Sequence, residues 1–267
     1  MRYADDTTLI ATTKEDLVEL IRRVEVASRE VGLKLNRQKT KVMIIDRKNN
    51  NQPDTTRIAN CEVVSSFVYL GAVLSNGGGS SNEIRRRIEI SRSAMSRLTK
   101  VWRDRQISNA TKMRLVKSLV FSIFLYGAET WTVLKKDRDR INAFEMWCWR
   151  RLLRIPWTAR RTNASILGEL GVRYRLDAVV SDRILRYFGH TMRRERGLER
   201  TIVEGRVLGV RPRGRSPSRW VDQIKALTGI PLRESRTVAL DREVWRLSVN
   251  RALLSTNHDA SAMRQAT

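Results

Sequence analysis

The sequence predicts an α+β protein in which short antiparallel strands and a helix come first and a longer helical region follows. In the first 75 residues, β-branched runs alternate with one helical pattern. Beyond the glycine- and serine-rich segment Asn76–Ser81, apolar residues recur at helical spacing as far as Pro156. We therefore expect three regions: 1–75 with strands and a helix, 76–165 helical, and 166–267 basic, largely helical and carrying an Arg/Gly/Pro-rich loop.

The first region contains four recognisable elements. Thr7–Ala11 and Lys41–Ile45 are rich in β-branched residues and predict strands. Between them, Thr13 with Asp16 three positions later resembles a capping box, which predicts the start of a helix. Apolar residues from Leu17 to Val31 then follow helical spacing, and Gly32 stands where such a helix would stop. Phe67–Leu74 predicts a hairpin-like pair, in which Gly71 permits a bulge or a close backbone approach.

Three apolar helix faces predict a compact bundle in the second region. The first includes Ile84, Ile88 and Met95, and the third runs from Ile141 to Ile155. Leu115–Tyr126 is apolar on most sides, so this helix should lie in the middle of the bundle.

Charge is the unusual feature of the composition. The 267 residues include 52 Lys and Arg against 28 Asp and Glu, a formal net charge of +24. A folded protein with this excess favours a polyanionic partner, so RNA or DNA is expected. A structural protein of the ribosomal or chromatin type would share the charge without any chemistry.

Cysteine usage and hydropathy indicate an intracellular protein. Cys61 and Cys148 are far apart, which predicts neither a disulfide framework nor a zinc site and fits a reducing compartment. The start of the chain has no apolar signal region, and the longest apolar run is too short to span a bilayer. We expect a nuclear or cytoplasmic location, no secretion and no membrane partner.

The sharpest motif is Tyr3-Ala4-Asp5-Asp6 before a β-branched run. Two adjacent carboxylates at a strand turn concentrate negative charge and suit a hard cation such as Mg²⁺. Taken alone, an Asp-Asp pair in a turn is equally explained by turn chemistry.

With the motifs that follow it in order, this segment resembles the reverse transcriptases of non-LTR (LINE-type) retrotransposons, and the resemblance covers nearly the whole chain. The similar segments are Tyr3–Asp6, Gly32–Thr40 with its Asn-x-x-Lys-Thr stretch, Phe67–Gly71, Tyr126–Trp131, Trp147–Pro156 and Arg219–Asp222. The resemblance implies an incomplete polymerase palm over 1–75, a thumb over 76–165 and a basic C-terminal region over 166–267. It implies an RNA-directed DNA polymerase that acts on a template–primer duplex and deoxynucleoside triphosphates by two-metal nucleotidyl transfer.

The resemblance also assigns roles to single residues. Asp5 would be the principal ligand of Mg²⁺ or Mn²⁺, with Asp6 as its acidic partner. Lys39 would protonate the leaving pyrophosphate or hold the nucleotide phosphates, although a solvated strand-edge lysine explains it as well. We expect Asn36 to be a turn residue and not a substrate contact. Tyr69, Leu70 and Gly71 would grip the primer strand, while core packing would equally explain Tyr69 and Leu70.

The family's other metal-binding aspartate lies on an upstream strand, whereas this sequence begins two residues before Tyr3. We therefore expect the isolated chain to be inactive, because one carboxylate pair cannot fix two ions. The alternative is a module that binds RNA or DNA without sequence preference and without catalysis.

Phosphate contacts are expected from basic side chains of the thumb and tail. The candidates are Arg85, Arg86, Arg87, Arg150, Arg151, Arg211, Arg213 and Arg215, with Lys100, Arg103, Arg105, Arg154, Arg160 and Arg161 as further ones. Each of them is also explained as part of a solvated helix face. Trp131, Trp147, Trp149 and Trp157 would stack on bases or belong to the core, and their helical spacing favours the core.

Overall fold

The computed structural model confirms the α+β class. It describes residues 2–46, 51, 54–195, 197–205 and 218–262. The chain divides into two compact units, Met1–Gly79 and Ser80–Thr267. The division falls in the Gly/Ser-rich segment where the composition changes.

The first unit contains short strands and one helix. Its strands are β1 (Arg2–Tyr3), β2 (Asp6–Thr7), β3 (Lys41–Val42), β4 (Arg57–Ile58), β5 (Cys61–Val63), β6 (Ser66–Tyr69) and β7 (Ala72–Ser75), and its helix is α1 (Lys14–Glu30). β1–β2 and β6–β7 are antiparallel pairs, whereas β5 lies between a parallel β3 and an antiparallel β4. The strands predicted over Thr7–Ala11 and Lys41–Ile45 are therefore too long, because only their first residues form ladder bonds.

Local sequence signals set both ends of α1. The Thr13 side chain accepts a hydrogen bond from the Asp16 amide at 3.1 Å and caps the first turn. At the other end, Gly32 has a φ of +75°, and the amides of Gly32 and Leu33 bond back to Arg29 and Ser28. This is a Schellman ending, and it confirms the helix stop predicted at Gly32.

The core of the first unit is small. Among its described residues, Val42, Ile58 and Cys61 form the buried apolar cluster, with partly buried neighbours such as Leu17 and Ile44. Several large apolar side chains are exposed instead: Tyr3, Ile10, Val31, Leu33, Ile45 and Val68. The unit therefore leaves much of its apolar surface in contact with solvent.

The second unit is helical, and no strand lies between residues 83 and 155. Its helices are α2 (Ser81–Arg97), α3 (Thr99–Arg103), α4 (Asn109–Leu115), α5 (Ser122–Phe124), α6 (Lys135–Leu152), α7 (Asn163–Glu169), α8 (Leu176–Arg193), α9 (Leu198–Val203), α10 (Asp222–Thr228), α11 (Leu232–Leu240) and α12 (Arg242–Ala262). A π-helical stretch, Val116–Phe121, joins α4 to α5, and 3-10 turns cover Ala128–Thr130 and Trp157–Ala159. One apolar core runs from Ile84 to Leu253, so it crosses the region boundary expected near residue 165.

Helices α2 and α6 lie side by side and run in the same direction. At their starts, the Ser81 hydroxyl donates to the buried Asp137 carboxylate at 2.7 Å. Further along, the Arg92 guanidinium lies over the Trp147 ring. Just beyond α2, Arg151 donates to the Thr99 hydroxyl. The three contacts occur in the same order along both helices, which establishes the parallel arrangement.

The segment around Trp220 attaches α10 to the loop that precedes α6. The Trp220 indole donates to the Glu129 carbonyl at 3.0 Å, and the buried Gln223 amide donates to the Trp131 carbonyl at 2.7 Å. The Val133 amide donates in return to the Gln223 side-chain oxygen. Arg219–Asp222, the segment that resembles part of the family, thus contains Trp220 as a structural anchor.

Helix α12 packs on α8 through Trp245. The Trp245 indole N–H donates to the Leu185 carbonyl at 2.9 Å, and its ring lies against Phe188 at 5.3 Å between centroids. A Cβ atom at Gly189 would stand 2.4 Å from the Trp245 ring. The close approach of these two helices therefore requires glycine at position 189.

We predict that Gly189→Ala lowers the free energy of unfolding by about 1–3 kcal/mol, because the added methyl group overlaps the indole. Gly168→Ala is the matched control: this glycine is inside α7 with no atom within 4 Å of the new Cβ. Its replacement should be neutral or stabilising by up to about 1 kcal/mol. Urea unfolding measures both, and equal effects of the two substitutions would contradict the packing argument.

Candidate functional site

Asp5 and Asp6 lie at the turn of the β1–β2 hairpin. Tyr3 pairs with Asp6, so Ala4 and Asp5 form a two-residue turn in which Ala4 has a φ of +48°. Both aspartates are exposed, and neither carboxylate has a hydrogen-bonding or ionic partner among the described residues. The hairpin thus presents two adjacent carboxylates to solvent.

This carboxylate pair alone does not make a two-metal site. Its oxygen ligands suit Mg²⁺ or Mn²⁺ chemically. However, no group of three or more His, Cys, Asp or Glu that could hold a metal occurs in the part of the chain that the structure describes. Two ions need further oxygen ligands, so the described residues do not account for such a site.

Lys39 is exposed at the end of a turn that Asn36 organises. The Asn36 side-chain oxygen accepts the Lys39 amide at 3.1 Å, and the Asn36 carbonyl accepts the Thr40 hydroxyl at 2.8 Å. The expectation that Asn36 is a turn residue is confirmed. The described contacts include no ion pair between Lys39 and either aspartate.

Leu70 and Gly71 form the two-residue turn between β6 and β7. Their φ angles are +46° and +77°, which is favourable for glycine and costly for leucine. The turn is closed by pairing of Tyr69 with Ala72, and Leu70 is 38% exposed. An exposed leucine in a left-handed conformation departs from turn preferences, as residues at functional sites often do.

The three consecutive arginines of α2 face different surroundings. Arg85 is exposed and bonds only to oxygens of its own first turn, while Arg86 is half-buried beside Glu83. Arg87 is 7% exposed, donates to Glu83 at 2.6 Å and lies over the Tyr126 ring. Arg87 is therefore held by the core and is not part of the exposed basic surface.

Arg150 and Arg151 in the last turn of α6 are partly engaged. Arg150 donates to the Arg161 carbonyl and to the Asn163 side-chain oxygen, which fixes the loop after α6. Arg151 donates to the Thr99 hydroxyl. No ion pair joins either arginine to an acid among the described residues, so no neighbouring carboxylate offsets their charges.

Arg154 occupies a position where this chain otherwise uses glycine. The Arg154 and Ile155 amides bond back to Arg151 and Arg150 in a Schellman ending, and Arg154 has a φ of +56°. Helices α1 and α7 end in the same hydrogen-bond pattern with Gly32 and Gly171 at that position. An arginine in this conformation costs on the order of 1 kcal/mol relative to glycine.

The remaining predicted contacts are distributed along the chain. Lys100, Arg103 and Arg105 are exposed around α3, and Arg154 donates weakly to the Arg103 carbonyl at 3.5 Å. Arg160 is exposed, whereas Arg161 pairs with Glu169. Arg211, Arg213 and Arg215 lie outside the described residues, as does the Trp157 side chain. Trp131 and Trp149 are buried, as their spacing predicted, but Trp147 is only half-buried.

Comparison with known proteins finds a family match in the first unit. Residues 1–74 match the family model described as reverse transcriptase (RNA-dependent DNA polymerase). The chain is also 27% identical, over 94% of its length and 95% of the relative's, to a transposon-derived protein of Caenorhabditis elegans. No solved structure matches. The two matches support a reverse transcriptase of a retrotransposon, and the family implies nucleic-acid substrates.

Membrane association by a spanning helix is not indicated. None of the helices in the described ranges is both long and apolar enough to cross a bilayer.

We predict that Asn36→Ala loosens the turn that carries Lys39, because it removes the oxygen that accepts the Lys39 amide. Amide hydrogen exchange at Lys39 should become several-fold to tenfold faster, since such a bond contributes about 0.5–1.5 kcal/mol. Asn36→Asp, which keeps an acceptor at the same place, should leave the exchange rate near that of the native chain. If the Lys39 amide exchanges equally fast in the native chain and in both variants, Asn36 does not stabilise this turn.

We also predict weak divalent-cation binding at the β1–β2 turn, with a dissociation constant on the order of millimolar, because only two carboxylates meet there. Titration with Mg²⁺ while following the Asp5 and Asp6 resonances measures it. Submicromolar binding that disappears in Asp5→Asn would show that the site is more complete than its described ligands imply.

Proposed function

We propose that the chain is a segment of an RNA-directed DNA polymerase of a non-LTR retrotransposon, comprising the end of the palm, the thumb and a basic tail. The observation that carries the proposal is the match of residues 1–74 to reverse transcriptases, combined with the exposed Asp5–Asp6 pair at a hairpin turn. The non-LTR assignment rests on the order of the later motifs, which continue through Trp147–Pro156 and Arg219–Asp222.

In this proposal, Asp5 and Asp6 supply two oxygen ligands of a metal site that needs further carboxylates from outside the described residues. Lys39 stands on a turn fixed by Asn36, which suits a side chain that must meet a phosphate. Leu70 gives this hairpin turn an apolar side chain, and Gly71, which has no side chain, would let a primer strand approach the backbone closely. We expect the isolated chain not to polymerise nucleotides.

The thumb would hold a template–primer duplex through phosphates. Arg154 and the exposed cations around α3 lie at the end of α6 without acidic partners among the described residues. Such contacts position a duplex and do not read its sequence. The expected partner is therefore an RNA–DNA or DNA duplex bound with little sequence preference and with strong dependence on salt.

A second candidate is a binding module without catalysis. Two observations favour it: the excess of 24 positive charges, and a carboxylate pair that lacks a third described ligand. Both candidates require binding of nucleic acid, and they differ in whether a completed metal site exists.

We predict opposite effects of Arg154→Gly on stability and on binding. Stability should rise by about 0.5–1 kcal/mol, because glycine adopts the left-handed conformation without strain. The affinity for an RNA–DNA hybrid should fall, and the slope of log affinity against log salt should decrease by about one unit, as for the loss of one phosphate contact. Thermal unfolding and fluorescence anisotropy over a salt series measure the two quantities.

Arg186→Gln is the matched control, since it also removes one exposed arginine from a helix. Arg186 is already paired with Asp182 at 2.7 Å, so its loss should change the salt slope little. If both variants lower the slope equally, the net charge and not the position of Arg154 determines binding.

A further inference from the structure

Lys112 of α4 is a buried basic residue whose side-chain hydrogen bonds go to the main chain. It is 4% exposed, and its Nζ donates to the Trp102 carbonyl at 3.1 Å and to the Asp104 carbonyl at 2.6 Å. No carboxylate among the described residues forms an ion pair with it. Lys112 therefore holds the turn between α3 and α4 from the inner side of that turn.

The carbonyls of this turn have few other donors. No backbone amide of the described residues donates to the Trp102 or the Asp104 carbonyl. The carbonyl between them, that of Arg103, accepts a weak hydrogen bond from Arg154 at 3.5 Å. Because a carbonyl that loses its donor inside a protein is destabilising, we expect the order of this turn to depend on Lys112.

Both ends of the turn are attached to rigid structure. Trp102, before the turn, is buried, and its indole N–H donates to the Met95 carbonyl at 2.7 Å. After the turn, the Ser108 hydroxyl accepts the Thr111 amide at 3.2 Å and caps α4. The Lys112 amide itself donates to the Ser108 carbonyl at 3.0 Å. Lys112 thus reaches back across the turn from an ordered helix.

The turn carries two exposed arginines, Arg103 and Arg105. Neither forms an ion pair with an acid in the described part of the chain. The acid between them, Asp104, accepts the Gln106 amide through its carboxylate at 2.8 Å, so it is engaged with the backbone of the turn. The two guanidinium groups are therefore available to an anion on a turn whose main chain is held from inside.

We propose that Lys112 is a positioning residue for nucleic-acid binding: it keeps the α3–α4 turn ordered, so that Arg103 and Arg105 meet phosphates without being ordered first. Cations on an ordered backbone lose less conformational entropy on binding than cations on a mobile one. Lys112 is buried and contacts no ligand itself. The inference rests on the proposed nucleic-acid-binding function and adds the residue that sets the affinity of this part of the surface.

The first test separates positioning from direct contact. Lys112→Met keeps an unbranched side chain of similar length and removes the amine that donates to the two carbonyls. Its affinity for a short RNA–DNA hybrid should fall roughly tenfold, because the freed turn must be ordered on binding. The slope of log affinity against log salt should change little, because the same phosphates are contacted. Arg103→Gln, which removes a contact, should instead lower the slope by about one unit.

The second test combines the substitutions, with fluorescence anisotropy over a salt series as the measurement. In an Arg103→Gln/Arg105→Gln background, Lys112→Met should have little further effect on affinity, because the cations that it positions are gone. A tenfold loss that persists in this background would show that Lys112 acts through the whole fold, and it would overturn the positioning role. Gly189→Ala, which disturbs the α8–α12 contact instead, controls for lost stability and should leave the affinity unchanged.

Arg103→Gln and Arg105→Gln in the native chain keep the inference testable even if Lys112→Met does not fold, since both replace exposed side chains. A salt slope that neither substitution lowers would show that this turn does not contact nucleic acid, and the proposed role of Lys112 would be wrong. A native chain that binds the hybrid without salt dependence would overturn the proposed function itself.

Discussion

Most of the second unit depends on how its few buried acids are matched to arginines. Glu83, Asp137 and Glu145 are almost wholly buried, and each is paired with an arginine. The partner of Glu83 is Arg87, which is itself buried, whereas Asp137 and Glu145 pair with Arg140 and Arg175 nearer the surface. A buried carboxylate without such a partner would be strongly destabilising, because the low dielectric penalises its charge. Burial raises the pKa of Glu145 even though Arg175 acts in the opposite direction. Because these acids are paired inside the fold, they do not form ion pairs with the surface arginines around the end of α6.

The two units differ in what holds them together. The second has one continuous core from Ile84 to Leu253, whereas the described part of the first buries only four apolar side chains, Ile21, Val42, Ile58 and Cys61, and leaves many others in solvent. In the first unit, polar contacts connect segments that the small core does not. Arg37 donates to the Ala59 carbonyl and pairs with Glu25, so it joins the segment after α1 to the β4–β5 turn. A unit of this kind presents its hairpin turns and apolar strands to other molecules more readily than it packs them against itself.

Local signals predicted the local structure well. The cap at Thr13, the stop at Gly32 and the turn made by Asn36 each depend on residues within a few positions, and all three are present. Long-range features were less accessible. The strand after Tyr3-Ala4-Asp5-Asp6 ends at Thr7, because ladder length depends on a partner strand that periodicity does not reveal. Helical spacing predicted that Trp147 belongs to the core, but it is half-buried, because spacing does not show which side of α6 meets α2. Spacing also placed Arg87 on the surface, because it does not show that Arg87 reaches the buried Glu83.

Departures from local preference are the most informative features of the candidate sites. Ala4, Leu70 and Arg154 all have positive φ angles in turns where glycine would be less strained, and each lies at a hairpin turn or helix end that presents side chains to solvent. At the ends of α1, α7 and α10, by contrast, the residue in the left-handed conformation is glycine. Strain of this kind persists only where the surrounding structure determines the conformation. At Arg154, two backbone hydrogen bonds and the packed end of α6 do so, and the result is a cationic residue whose backbone is fixed near Arg103. A cation whose backbone is already ordered loses less conformational entropy on meeting a phosphate than one on a flexible segment, so the fixed backbone at Arg154 would favour the proposed phosphate contact.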